Sequence, residues 1–196
     1  MASRDTEIIE DLIVRSVRVV VHKTGGSAMG VDVNHWSIYL LLDDCRSVRL
    51  NMNYRTIDDW PISYQLPEGA DHGEPGEMKV THHRYNLVDS AITHWDFRCG
   101  GEYKVEDYIG LLRRKGRHYY TMAVGGSGCR HWTYIAMLDF ENRSFLVKNS
   151  AVSLYPYMMN FYTEKNDKIF TTPTRLMPEG KFWSQEDWES KFCRAS

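Results

Sequence analysis

A cysteine becomes a nucleophile near neutral pH when its surroundings favour thiolate over thiol. The stretch Gly125-Gly126-Ser127-Gly128-Cys129-Arg130-His131-Trp132 delivers one to such a place. The spacing of Cys129, Trp132, Ile135/Ala136, Met137/Leu138 and Phe140 predicts a helix that starts at Cys129, buries one face and closes at Asn142. Unpaired backbone N–H groups and the positive end of the helix dipole would then face the sulfur. The plain alternative is a small buried core residue, since free cysteine is among the residues most often found inside. A thiol nucleophile also needs a base and a third polar group that holds the base in one tautomer. His35 is the candidate base, and Asn51, or failing that Arg49, the candidate orienting residue. Arg49, Trp36, Tyr39, Trp60 and His94 are the candidate substrate-binding side chains.

These residues must be positioned by a sheet. Ile13 to His22 is rich in valine and predicts a strand, ended by Lys23-Thr24-Gly25-Gly26-Ser27. Val31 to Leu42 predicts a second strand, and Asp43-Asp44 turns it into a third at Arg46 to Met52, a hairpin. With period two, His35, Ser37 and Tyr39 share one face, and Trp36, Ile38 and Leu40 the other. On the partner strand Arg49 and Asn51 share a face, so both strands can aim polar groups at one spot.

Asn53 to Glu77, with Pro61, Pro67 and Pro75 and several glycines, predicts a long loop. It leaves the strand that carries Arg49 and Asn51, so we expect either a lid over the cleft, with Trp60, Ile62, Tyr64 and Leu66 as its apolar lining, or a surface loop with no role. Met78 to Tyr85 and Ala91 to Cys99 predict two more strands. On the latter Trp95, Phe97 and Cys99 form an apolar face, and His94 and Asp96 lie opposite.

Val105, Tyr108, Ile109 and Leu112 have helical spacing, the last turn is Arg113-Arg114-Lys115, and Gly116 stands at C′. His118 to Val124 predicts a short strand. Ser144 to Lys148 and Tyr155 to Tyr162, apolar and aromatic, are expected to be extended. Ser184 and Asp187 form a capping box, with Trp183 and Trp188 at the staple positions, so a terminal helix should run to about Phe192. The dipeptide His-Trp recurs at 35–36, 94–95 and 131–132 without a larger repeat. His82 and His83 are adjacent on a strand, point to opposite faces and do not suit one metal ion.

With 196 residues, 42% hydrophobic, the chain can bury one core, and a single domain over 1–196 is expected. Lys and Arg number 24 against 26 Asp and Glu, a net charge of −2, which points away from nucleic acid and anionic membranes as partners. Met1 to Glu10 is polar and acidic rather than signal-like, and no apolar run spans a membrane, so a cytoplasmic location is expected. Cys45, Cys99, Cys129 and Cys193 form no C-x-x-C pair and are expected to be reduced. No metal or cofactor is called for, and nothing in the sequence fixes the oligomeric state.

Asn34-His35-Trp36-Ser37-Ile38-Tyr39 followed by a hairpin, a helix ending in Arg-Arg-Lys-Gly, and a glycine-rich turn into Cys129-Arg130-His131-Trp132 resembles the lecithin:retinol acyltransferase family. That family has a circularly permuted, NlpC-type papain-like fold. The likeness covers about residues 33 to 140. It implies His35 as general base, Cys129 as nucleophile and the region of Arg49 or Asn51 as the orienting residue, where the acyltransferases have a second histidine. Gly128 replaces the asparagine that commonly precedes the cysteine, and the family's Gly-Asp-Gly turn is absent. The whole chain also resembles a group of small fungal proteins, some associated with secondary metabolism, that share a His-Trp-Ser-like strand, a His-Trp-Asp-Phe strand and a Gly-x-Gly-Cys-Arg-x-Trp segment.

The expectation is therefore an α+β fold, a mainly antiparallel sheet packed against helices in the permuted papain-like manner. The expected function is a cysteine-dependent hydrolase or acyltransferase acting on an acyl or other electrophilic carbon of a small or lipid-like molecule. Two rivals use the same cleft without a covalent step. One is a cyclase or isomerase of a natural-product intermediate, suited by six Trp and twelve Tyr; the other is an inactive small-molecule binding protein.

Overall fold

Alternation along the first strands decides the architecture, because it gives one face of the sheet a continuous apolar surface. The computed structural model describes residues 9–23, 34–54, 70–124, 128–174 and 176–193. Strands β1 (Ser16–His22), β2 (His35–Leu41), β3 (Ser47–Tyr54), β4 (Gly76–His83) and β5 (Ala91–Arg98) form an antiparallel sheet in the order β4-β3-β2-β1-β5. Val17, Val19 and Val21 stand opposite Leu40, Ile38 and Trp36, and all six are fully buried in the main core. Asp44 and Cys45, both with positive φ, turn β2 into β3.

Helices cover that apolar face. Helix α1 (Val105–Arg114) starts where the Asp107 carboxylate accepts the Lys104 N–H at 2.8 Å, and Gly116 (φ +67°) turns the chain away after it. After the short strand β6 (Tyr120–Thr121) comes helix α2 (Cys129–Asn142), which packs across β2 and β3 and buries Trp132, Ala136, Met137 and Phe140. Its Asp139 is buried and bidentate to Arg117, at 2.6 and 3.2 Å, which fixes the helix to the turn after α1.

Two expectations need correction. Ser144–Lys148 is not a strand, apart from a bridge between Leu146 and Cys99, and the first part of Tyr155–Tyr162 belongs to helix α3 (Ser150–Met158). Glu141, near the end of α2, starts α3 by accepting the N–H groups of Asn149 and Ala151, both at 2.8 Å. The buried Ala151, Leu154 and Met158 have helical spacing, and this outweighs the aromatic residues and Pro156. Strands β7 (Asn160–Lys165) and β8 (Lys168–Pro173) form a hairpin through Asn166 and Asp167, both at positive φ, as a two-residue hairpin turn requires.

Strand β9 (Lys181–Phe182) pairs with β6, and helix α4 (Gln185–Phe192) follows Ser184, whose hydroxyl accepts the Asp187 N–H. The expected loop from Asn53 to Glu77 loses both ends to β3 and β4, and its part 55–69, with Trp60 and the rest of the proposed lining, lies outside the described residues.

The architecture is thus α+β, with a five-stranded antiparallel sheet and four α-helices among the described residues. No helix among the described residues is long and apolar enough to cross a membrane.

Candidate active site

Period two on β2 and β3 brings the expected polar residues together. His35 Nε2 donates to Asn51 Oδ1 at 2.5 Å. The Asn51 amide is oriented in turn, because its Nδ2 donates to Asn53 Oδ1 at 2.9 Å. With Nε2 carrying the proton, Nδ1 is the nitrogen left for a second partner. Cys129, the first residue of α2, lies close enough for its thiol and the His35 imidazole to shift each other's titration, and its Sγ also lies 3.9 Å from Asn34 O. Of the two candidates, Asn51 is the one that bonds His35, and Arg49 bonds elsewhere.

The electrostatics match the geometry. Burial pushes the Cys129 thiol up, but the hydrogen bond and charge of His35, the backbone N–H of Trp36 and the nearby Arg130 guanidinium outweigh it and hold the thiol below its ordinary value. Burial pulls His35 down, yet Cys129 and then Asn51 raise it above the usual imidazole range against the opposing charge of Arg49. Opposite shifts on two touching groups favour the thiolate–imidazolium pair.

The glycine turn has a steric reason at its last residue. Gly128 has φ +137°, and a Cβ there would stand 3.0 Å from the Tyr120 hydroxyl and 3.1 Å from the Ala123 nitrogen. That hydroxyl donates to Gly128 O at 2.8 Å and accepts the Gly180 N–H at 3.0 Å, so β6 and the segment before β9 both grip the start of α2.

A second polar layer lies beside His35 on the same sheet face. His22 Nε2 meets Ser37 Oγ at 2.6 Å, its Nδ1 meets Ser90 Oγ at 3.1 Å, and Arg49 Nε donates to Ser37 Oγ at 3.2 Å. Burial first, then the charges of Arg49 and His35, push His22 down to about 3, so it is neutral. The His22 and His35 rings are 5.6 Å apart.

Tyr39 is fully buried on this face with Val20 and Leu41, packed by Val88 from the β4–β5 connection and Ala91 at the start of β5. Trp36 is not a substrate wall: its place on β2 turns it into the core, where it is 0% exposed and stacked on Trp95 at 5.7 Å. His94 shares the face of Ser37, since both stand opposite Val20, but β1 lies between them. Two strand spacings, roughly 10 Å, therefore separate it from the His35 layer. It lines a separate surface cavity with Trp95, Asp96, Phe97, Ser153 and Tyr157. His82 approaches Glu10 at 3.5 Å and His83 bonds Thr81 at 2.8 Å, so they have separate partners.

The profile of a family described as a domain of unknown function, DUF7770, matches residues 17–183. The chain belongs to the DUF7770 family. The matched stretch holds β1 through β9 apart from the first residue of β1, and with them Cys129, His35 and Asn51. No curated protein and no solved structure gives a significant match.

Sequence reasoning missed His22, Arg130 and Tyr54. His22 ends a strand read for its valines, yet it is even-numbered like Val20 and so belongs to the polar side of β1. Arg130 is buried without a carboxylate among the described residues; its Nη1 donates to Met158 O at 2.8 Å and Thr174 Oγ1 at 3.3 Å. Tyr54, at the end of β3, is pushed up to about 12 by burial, then by the charges of Glu74 and Cys129.

Proposed function

We propose that this chain is a cysteine-dependent enzyme that transfers or hydrolyses an acyl group, on a fold of the permuted, NlpC-type papain-like kind. The observation that carries the reading is the chain of contacts Asn51–His35–Cys129, with the thiol held below and the imidazole above their ordinary values. The topology supports it as well: the base lies on a strand that precedes the cysteine helix in sequence, and that helix packs on the two strands carrying the polar pair.

In this mechanism Cys129 Sγ attacks the acyl carbon, and the carbonyl π electrons move onto oxygen. The Cys129 N–H, at the helix start, would face that oxyanion. As the intermediate collapses, the bond to the leaving group breaks and His35 Nδ1–H gives it the proton. The thioester is then opened by water or by an acceptor hydroxyl, whose proton returns to His35. Asn51 keeps the imidazole in the tautomer that both steps need.

Alkylation by iodoacetamide, followed by mass spectrometry across a pH series, tests the pair directly. The exposed Cys45 and Cys193 serve as internal references. Cys129 is expected to titrate below both, and His35→Ala to move its midpoint up towards theirs. A Cys129 that titrates with the reference thiols, and does so equally in His35→Ala, overturns the assignment. Turnover retained in Cys129→Ala would instead favour the non-covalent cyclase or isomerase.

A further inference from the structure

Arg49 is a half-buried cation with no carboxylate beside it among the described residues. Its Nε is held by Ser37 at 3.2 Å and one Nη approaches His22 Nε2 at 3.5 Å, while the other terminal nitrogen has no acceptor among the described residues. The guanidinium carbon lies 5.8 Å from the centre of the Tyr39 ring. Tyr39 is 0% exposed, and its buried hydroxyl has no hydrogen-bond partner among the described residues. A buried hydroxyl left unpaired is costly, and a guanidinium kept from its counter-ion more so, so both invite the same kind of occupant.

We propose that Arg49 and the Tyr39 hydroxyl form a subsite for a carboxylate carried by the substrate, next to the Cys129–His35 pair. This rests on the acyl-transfer reading and adds the class of substrate, a molecule with an acyl group at one end and a carboxylate at the other. Charge and shape both bear on the choice of anion. His22 is neutral, and His83, whose ring lies 6.2 Å from that of Tyr39, is pushed down by burial and then by the charge of Arg49. One guanidinium among neutral partners matches a single negative charge, and its planar fork matches a carboxylate better than a phosphate dianion.

The spacing to the thiol is set by β3. Arg49 and Asn51 are two residues apart on one face, roughly 7 Å along the strand. Asn51 touches His35, and His35 touches Cys129. A carboxylate at Arg49 therefore sits a short chain's length from a carbon at the sulfur. The connection between β4 and β5 closes over this face, with Tyr85 O accepting from Ser47 Oγ, Asn86 O from Arg18 Nη1 and Ser90 bonding His22. That closure leaves Tyr39 dry, where a charge-assisted hydrogen bond is strongest.

The test compares two alkylating agents that differ only in charge, iodoacetyl-aminocaproate and its terminal carboxamide, on wild type, Arg49→Gln, Arg49→Lys and Tyr39→Phe. The expected result is labelling of Cys129 about tenfold faster by the acid than by the amide in wild type, from one charge-assisted contact. The ratio should fall to about one in Arg49→Gln, with an intermediate value in Arg49→Lys and Tyr39→Phe. Equal rates for the two reagents in wild type, or a ratio unchanged in Arg49→Gln, overturn the subsite.

Calorimetric titration of glutarate into Cys129→Ala separates this from the nucleophile assignment, because it needs no reactive thiol. Saturable binding that disappears in Cys129→Ala/Arg49→Gln supports the subsite even if Cys129 proves inert. No binding, or tighter binding of inorganic phosphate than of glutarate, overturns the carboxylate.

Discussion

Protonating His22 would put a second cation within 5.6 Å, ring to ring, of His35, the imidazole that the proposed mechanism needs protonated. Burial prevents this, because a nearly enclosed imidazole bonded to two serines loses more hydration than it can regain as a cation. The consequence is a stability that depends on pH with a definite sign. Unfolded, His22 binds a proton below about 6.5; folded, it resists protonation until about 3. Between these values the unfolded chain holds the extra proton, so the contribution is complete above the upper value and is lost as pH falls towards the lower one. Its size is on the order of a few kcal/mol. Thermal unfolding followed by circular dichroism should show wild type losing melting temperature on acidification in this window more steeply than His22→Asn. Equal slopes for the two proteins would assign the acid sensitivity to other groups.

Placing Cys129 is the work of one backbone conformation at the start of α2. Replacing Gly128 by Ala imposes a side chain at φ +137°, with its Cβ 3.0 Å from the hydroxyl that holds the same residue's carbonyl. Backbone strain of this kind costs about 1–3 kcal/mol, and the chain can relieve it only by rotating the first turn that carries Cys129. Gly128→Ala should therefore lower the urea midpoint at unchanged m-value and slow alkylation of Cys129, whereas Gly110→Ala on α1, where a Cβ would meet only the flexible Arg114 side chain, should leave alkylation unchanged. Elements whose signals are local were legible in the sequence: the β2–β3 hairpin from its alternation, α1 from its apolar spacing and Gly116, α4 from Ser184 and Asp187. The same alternation let His35 and Asn51 be read as partners, since residue parity alone puts them on one face. Helix α3 was not legible as one, because its start is capped by Glu141 from another helix and its aromatic residues and Pro156 argue locally for extended chain. Trp36 was misjudged for a related reason: parity puts it opposite His35, and proximity in sequence says nothing about which layer a side chain joins.

The site draws on segments far apart in sequence, and the residue before His35 shows how the molecule holds them together. Asn34 is buried and exchanges two hydrogen bonds with Tyr162 on β7: its Nδ2 donates to Tyr162 O at 2.8 Å and its Oδ1 accepts the Tyr162 N–H at 2.6 Å. Across 128 positions of chain, this side chain imitates a strand partner and ties the start of β2 to the β7–β8 hairpin. Arg130 makes a parallel connection from the residue after Cys129, bonding Met158 at the end of α3 and Thr174 after β8. His35 and Cys129 are thus each fastened, by the adjacent residue, to the same C-terminal region. Removing the Asn34 amide leaves the N–H and C=O of Tyr162 without their partner in the protein interior, a cost of about 1–3 kcal/mol for each unsatisfied group. Asn34→Ala should therefore destabilise the fold by about 2–4 kcal/mol in urea denaturation, and should raise the apparent pKa of Cys129 in the alkylation series as His35 loses its fixed position. Asn160→Ala is the matched control, because its bond to Pro156 O, at 2.9 Å, is an exposed one. Its effect should stay within about 0.5 kcal/mol, with Cys129 unchanged. If Asn34→Ala costs no more than Asn160→Ala, the start of β2 is held by the sheet alone and the link to β7 has no part in aligning the base with the thiol.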